Sequence, residues 1–146
     1  PAIENAYKED NEIIIESFLD GIEVSVGVIN YKGKITVLPI TEIVSENDFF
    51  DYEAKYLGKS QEITPARISE ELKEKIETVA KRTYEVLKMK GFSRSEFIIV
   101  NNEPYMLEMN TIPGMTTESI LPQQAKVAGI SLSDLFDNAI ELALTK

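Results

Sequence analysis

The run Tyr105-Met106-Leu107-Glu108-Met109-Asn110-Thr111-Ile112-Pro113-Gly114-Met115-Thr116 constrains this chain most. It reads as a strand that runs into a Pro-Gly turn. Side chains alternate across a strand, so Glu108 and Asn110 point one way and Leu107 and Met109 the other, into a core. A carboxylate and an amide on one strand face suit a hard cation, above all Mg²⁺ held with phosphate. Phe92 to Val100 and Pro104 to Asn110 pair as a hairpin about Asn101-Asn102-Glu103. A three-residue turn centred on Asn102 sets Glu96 opposite Glu108, on the face that carries Asn110. Two facing carboxylates repel unless a cation lies between them. A solvated sheet face accounts for Glu96 as well, and Ile112-Pro113-Gly114 equally reads as an ordinary type II turn. Arg94 shares the face of Glu96. It is either a clamp on a phosphoryl group in transfer or simply the neighbour of that carboxylate.

The remaining segments supply sheet and helix, for an α+β fold with an antiparallel sheet flanked by helices. Residues 3–10 read as a short helix. Glu12 to Phe18 reads as a strand centred on Ile13-Ile14-Ile15 and closed by a turn at Leu19-Asp20-Gly21. Glu23 to Asn30 alternates, with Val24, Val26 and Val28 on one face. Tyr31-Lys32-Gly33-Lys34 is a hairpin turn and Ile35 to Ile43 the returning strand, giving a half-buried sheet. The edge at Glu16-Ser17-Phe18-Leu19 can bond the rim of an adenine ring, with Glu23 placed for ribose hydroxyls. Ser45 to Thr64 interleaves aromatic and charged residues without a period. It is either a functional loop, with Lys55 and Tyr56 directed at phosphate or substrate, or a surface loop held by its own aromatics.

Pro65 to Lys90 carries the clearest helical stripe: Leu72, Ile76, Val79, Ala80, Thr83, Val86 and Leu87. Ser69 suits its N-cap and Gly91 its stop. Ser119 to Ala128 is a shorter helix. Ser131 to Leu144 opens on a capping box of Ser131 and Asp134, with Leu135, Phe136, Ala139 and Ile140 on its apolar face.

Composition narrows the chemistry. The 146 residues suit one domain. Twenty-five acidic against 15 basic residues give a net charge of −10, which argues against non-specific nucleic-acid binding and against anionic membranes. The chain has no cysteine and no histidine, which excludes disulfides, thiolate catalysis, Cys/His zinc sites and histidine bases. No apolar run is long enough to span a bilayer and nothing reads as a signal peptide, so a cytoplasmic location is expected. There is no Gly-rich phosphate loop and no dinucleotide fingerprint, so ATP would have to be held by another route. The chain opens on Pro1 rather than methionine, and a piece of a longer protein is expected.

Four stretches together resemble the C-terminal part of the D-alanine–D-alanine ligases of the ATP-grasp superfamily. They are Ile15-Glu16-Ser17-Phe18-Leu19-Asp20-Gly21-Ile22-Glu23-Val24-Ser25-Val26-Gly27-Val28, Leu38-Pro39-Ile40-Thr41-Glu42-Ile43, Asp51-Tyr52-Glu53-Ala54-Lys55-Tyr56 and Glu108 to Thr116. The first is shared broadly by ATP-grasp proteins, and the last two are more specific.

The resemblance implies roles residue by residue. Glu16, with the backbone at Ser17 and Leu19, would hold adenine, and Glu23 the ribose. Glu108 would bridge two Mg²⁺ ions (Mn²⁺ being an alternative), Asn110 would ligate one, and Glu96 would take the remaining carboxylate position. Arg94 and the turn at Gly114 would stabilise the tetrahedral species. Lys55 and Tyr56 would belong to a loop that closes over the site, and Ser119 would hold the second D-alanine. The implied partners are D-alanine and ATP, with no nucleic acid and no membrane, in a homodimeric full-length enzyme of peptidoglycan precursor synthesis. One departure stands out: the family usually has aspartate where this chain has Glu96. The other ATP-grasp lobe and the N-terminal domain have no counterpart here, so the chain alone is expected to be inactive. Ligases joining D-alanine to D-lactate or D-serine, other ATP-grasp ligases, and a non-catalytic nucleotide-binding module are the alternatives.

Overall fold

The computed structural model describes residues 2–45 and 60–145. Lys55 and Tyr56, with most of the expected aromatic loop, lie outside them. A short helix α1 (Ala2–Glu9) buries no residue. The sheet is built around β1 (Ile22–Tyr31), whose valines are fully buried. The hairpin expected after it is present and joins β1 to β2 (Lys34–Val37). Next come β3 (Thr41–Ser45) and β4 (Ser60–Ile63), then α2 (Glu70–Val86). A second hairpin, β5 (Phe92–Val100) with β6 (Glu103–Asn110), precedes α3 (Ile120–Val127) and α4 (Leu132–Leu144). The strand order is β4-β3-β1-β5-β6, with β2 beside β1, and every pairing is antiparallel.

Helices cover both faces of β1, so the sheet is not half-buried as its alternation implied. On one face Val24, Val26, Val28 and Phe97 pack with Leu72, Ile76, Ala80 and Tyr84 of α2. On the other, Ile29 and Leu38 pack with Leu121 and Ala125 of α3 and Leu135 of α4. The positions between the valines carry Ser25 and Gly27, whose small side chains let α3 approach closely. No helix among the described residues is long and apolar enough to cross a membrane.

Several local expectations need correction. Residues 12–18 form no strand, and Ile14 and Ile15 are 85% and 74% exposed. Consecutive isoleucines in a strand point to opposite faces and need cover on both; the described chain leaves these two open. Ile35 to Ile43 is two strands rather than one. From Val28 to Ser25 β1 takes three steps, while its partner takes four, from Val37 to Thr41. The extra residue falls next to Pro39, which has no N–H for a ladder.

Ser69 caps α2 as expected, its side chain accepting from Leu72 N–H. The helix nevertheless stops before Gly91. Lys88 adopts φ 53°, and the N–H of Met89 bonds the carbonyl of Tyr84. Val86 and Leu87 are therefore exposed, and Tyr84 is the aromatic that enters the core. The Ser131–Asp134 capping box forms as read. On α4, Leu135 and Asn138 are buried whereas Phe136 and Ile140 are exposed.

Candidate active site

The site residues lie on the sheet face that α3 covers. Pairing across three strands places Gly27, Arg94 and Asn110 in one row and Ser25, Glu96 and Glu108 in the next. Four of the expected site residues, Arg94, Glu96, Glu108 and Asn110, are thus brought together by register. The expected pairing of Glu96 with Glu108 is present, although the turn that was to produce it is not. The hairpin turns through two residues, Asn101 and Asn102, at φ 52° and 62°. That turn alone would set Leu107 opposite Glu96. A bulge intervenes: Phe97 pairs with Met106, and Glu96 pairs with Glu108, leaving Leu107 as the extra residue.

Arg94 is the most buried of the four, at 8% exposure. Its guanidinium donates to Glu96 Oε1 at 2.6 Å, and its Nε is buried without a protein partner. A buried guanidinium fixed by one carboxylate but retaining free donor capacity is suited to an incoming anion. Asn110 sits at the sheet's end, where its Oδ1 accepts from the N–H of Ile112. Glu108 is exposed, and β6 is an edge strand among the described residues; Leu107 is 48% exposed rather than buried in a core. Among the described residues no group of three or more acidic, histidine or cysteine side chains is gathered as a metal site. The donor set is instead two facing carboxylates and an amide. Directly opposed like charges destabilise a strand pair, and a cation removes that penalty. The set fits a hard divalent ion.

Gly114 and Ser119 meet on the other side of the turn. Ser119 precedes α3, but its hydroxyl makes no helix cap. It accepts from Thr116 N–H at 3.1 Å and lies 2.9 Å from Thr116 Oγ1. A Cβ at residue 114 would stand 2.7 Å from that hydroxyl, so a side chain there would displace it. Glu23 is half-buried on β1, two residues before Ser25 and therefore on the same face. Glu16 and Ser17 are exposed and Leu19 half-buried on the non-strand segment before β1, so the expected strand edge for adenine is not formed.

Sequence reading missed Gln124. This fully buried side chain accepts from Gly27 N–H at 3.0 Å and donates to the Ser25 carbonyl at 2.8 Å and to Thr41 Oγ1 at 3.0 Å. The available signal was its place between Leu121 and Ala125, a polar residue within the buried stripe of a short helix.

Known proteins resemble the chain along nearly its whole length. The family model for the D-ala D-ala ligase C-terminus matches residues 1–141. The D-alanine–D-alanine ligase of Flavobacterium johnsoniae is 85% identical over 143 residues, covering 98% of this chain and 44% of that protein. The ligase of Leptospira interrogans is 48% identical, over 96% of this chain and 41% of its own length. Among solved structures, the D-alanine–D-alanine ligase from Bacillus anthracis complexed with ATP superposes with TM-score 0.81 at 31% identity, covering 98% of this chain and 45% of that one. The VanG D-Ala:D-Ser ligase from Enterococcus faecalis does so with TM-score 0.81 at 35% identity, over 98% and 42%. The chain therefore spans less than half the length of these relatives.

Proposed function

Because the chain belongs to the D-ala D-ala ligase C-terminus family, we propose that it is the C-terminal portion of the ATP-grasp domain of an ATP-dependent D-alanine–D-alanine ligase. The observation that carries this reading is the pair of rows on one sheet face, Arg94 beside Asn110 and Glu96 beside Glu108. In this reading the chain supplies one wall of the ATP site. The opposite lobe and the N-terminal domain come from the rest of a longer, cytoplasmic and homodimeric protein, and the chain alone is inactive.

The reaction has two steps. The carboxylate of one D-alanine attacks the γ-phosphorus of ATP, giving D-alanyl phosphate and ADP. The amine of a second D-alanine then attacks the acyl carbon, phosphate leaves, and the amine gives up a proton. Glu96, Glu108 and Asn110 would hold Mg²⁺, which would supply charge neutralisation for the phosphates. Arg94 uses its free donor capacity to hold the phosphoryl oxygens and the charge that develops at the acyl carbon. The backbone at Gly114 helps to hold the same oxygens. Ser119 orients the acceptor through its carboxylate. Glu16, Ser17 and Leu19 hold adenine once that segment gains its partners, and Glu23 holds the ribose. Lys55 and Tyr56 close over the site and exclude water from the acyl phosphate.

Phosphate release from Mg-ATP by the full-length protein tests the reading, with D-alanine set against D-serine, D-lactate and L-alanine. D-alanine-dependent release with dipeptide as product supports it. Release that needs D-serine as acceptor would move the protein towards the D-Ala:D-Ser class, to which one superposed structure belongs. Binding of Mg-ATP with no release under any condition would favour a nucleotide-binding module.

A further inference from the structure

The split between β2 and β3 leaves a defect in the sheet. Ser25 pairs with Thr41, but opposite Gly27 the neighbouring chain carries one extra residue, and only Leu38 N–H returns, to the Gly27 carbonyl at 2.8 Å. Gly27 N–H would then be buried without a strand partner, a costly arrangement. The carboxamide of Gln124 supplies the missing partner, its oxygen accepting from Gly27 N–H, and its nitrogen adds a bond to the Ser25 carbonyl. A Cβ at Gly27 would lie 2.6 Å from Gln124 Oε1, so a side chain there would push the amide away. The same nitrogen reaches Thr41 Oγ1, which lies 2.6 Å from Thr64 Oγ1 just beyond β4.

Two features make this more than a packing detail. Gly27 and Ser25 are the residues of β1 directly opposite Arg94 and Glu96. Gln124 also lies on the helix that Ser119 precedes. Five residues of helix span about 7.5 Å, so a shift at Gln124 is carried to Ser119 by a rigid element. We propose that Gln124 is a positioning residue that registers the Ser119–Gly114 end of α3 against the strand rows bearing Arg94 and Glu96. It thereby sets the acceptor amino acid against the phosphoryl-transfer face. The inference rests on the ligase reading given above.

The test uses the full-length ligase carrying this sequence. Gln124→Met keeps the volume and removes the amide, whereas Gly27→Ala displaces the amide without altering Gln124. Both variants are expected to raise KM for the acceptor D-alanine roughly ten- to a hundredfold. KM for ATP should stay within about twofold, because Glu16 and Glu23 do not depend on the helix register. Thr41→Val removes one of the three bonds and should give a smaller shift in the same direction. It decides the question if the other two variants do not fold. Lower melting temperatures with unchanged acceptor KM, or parallel rises for ATP and acceptor, would overturn the inference and leave Gln124 a stabilising residue. A wild-type protein with no D-alanine-dependent turnover would instead refute the ligase reading itself, and this inference with it.

Discussion

Glu96 and Glu108 stand directly opposite each other across β5 and β6 because Leu107 is bulged out of the ladder between them and the turn. Without the bulge Glu108 would lose its place beside Glu96. One extra residue thus converts a regular hairpin into a facing pair of carboxylates.

Replacing Glu108 by Gln should leave the fold intact, since the side chain is exposed. Magnesium-dependent turnover of the full-length protein should fall by about a hundredfold or more. Turnover measured across a Mg²⁺ titration checks this. A variant with wild-type kcat at saturating Mg²⁺ would remove Glu108 from the metal set.

Gly114→Ala places a methyl group against the Ser119 hydroxyl, 2.7 Å away, and should displace that side chain from Thr116. We expect kcat/KM for D-alanine to drop roughly tenfold. Removing the hydroxyl relieves the clash, so Gly114→Ala and Ser119→Ala should combine to less than the sum of their separate effects. Strict additivity of the two would show that they do not act through this contact.

Glu42 is held below its ordinary carboxyl pKa of 4.5, first by the side-chain hydrogen bonds of Arg67, at 2.9 and 2.7 Å. A lowered folded pKa contributes stability that is fully present above about pH 4.5 and is lost as pH falls through the folded value. Arg67→Ala should therefore lower the melting temperature at pH 7, with the gap to wild type closing on acidification below pH 4.5. A gap that stays constant from pH 7 to pH 3 would contradict the ion pair's contribution.

Tyr84 fills the core under α2, and its hydroxyl donates to the Gly91 carbonyl at 3.0 Å. Tyr84→Phe should cost about 1 kcal/mol through the lost bond. Tyr84→Ala should cost about 3–5 kcal/mol through the cavity. Urea unfolding of both variants measures the difference. Equal losses would mean that the ring contributes nothing beyond its hydroxyl.

Legibility in the sequence tracked the range of the interactions. The Ser69 cap, the Ser131–Asp134 box and the two hairpins depend on residues a few positions apart, and all could be read. Asn101-Asn102 illustrates the limit. The turn was located, but its length was misread, and the Glu96–Glu108 pairing held only because the bulge added back one residue. The isoleucines at 13–15 look like a strand by propensity, yet propensity cannot supply a neighbouring strand or a covering layer. Gln124 was the hardest to see. Its importance comes from a ladder defect 97 residues away at Gly27, which arises where the strand is interrupted beside Pro39. Lys55 and Tyr56 lie outside the described residues.

β6 ends the described sheet with Tyr105, Met106 and Leu107 all partly open to water. An apolar edge of that kind is a template on which another chain can continue the ladder. Two irregularities spoil the template. Pro104, next to the pair that closes the turn, withholds an N–H from the outer edge, and the Leu107 bulge breaks the spacing a second strand would have to match. Straightening β6 would misplace a carboxylate and at the same time open a sticky seam.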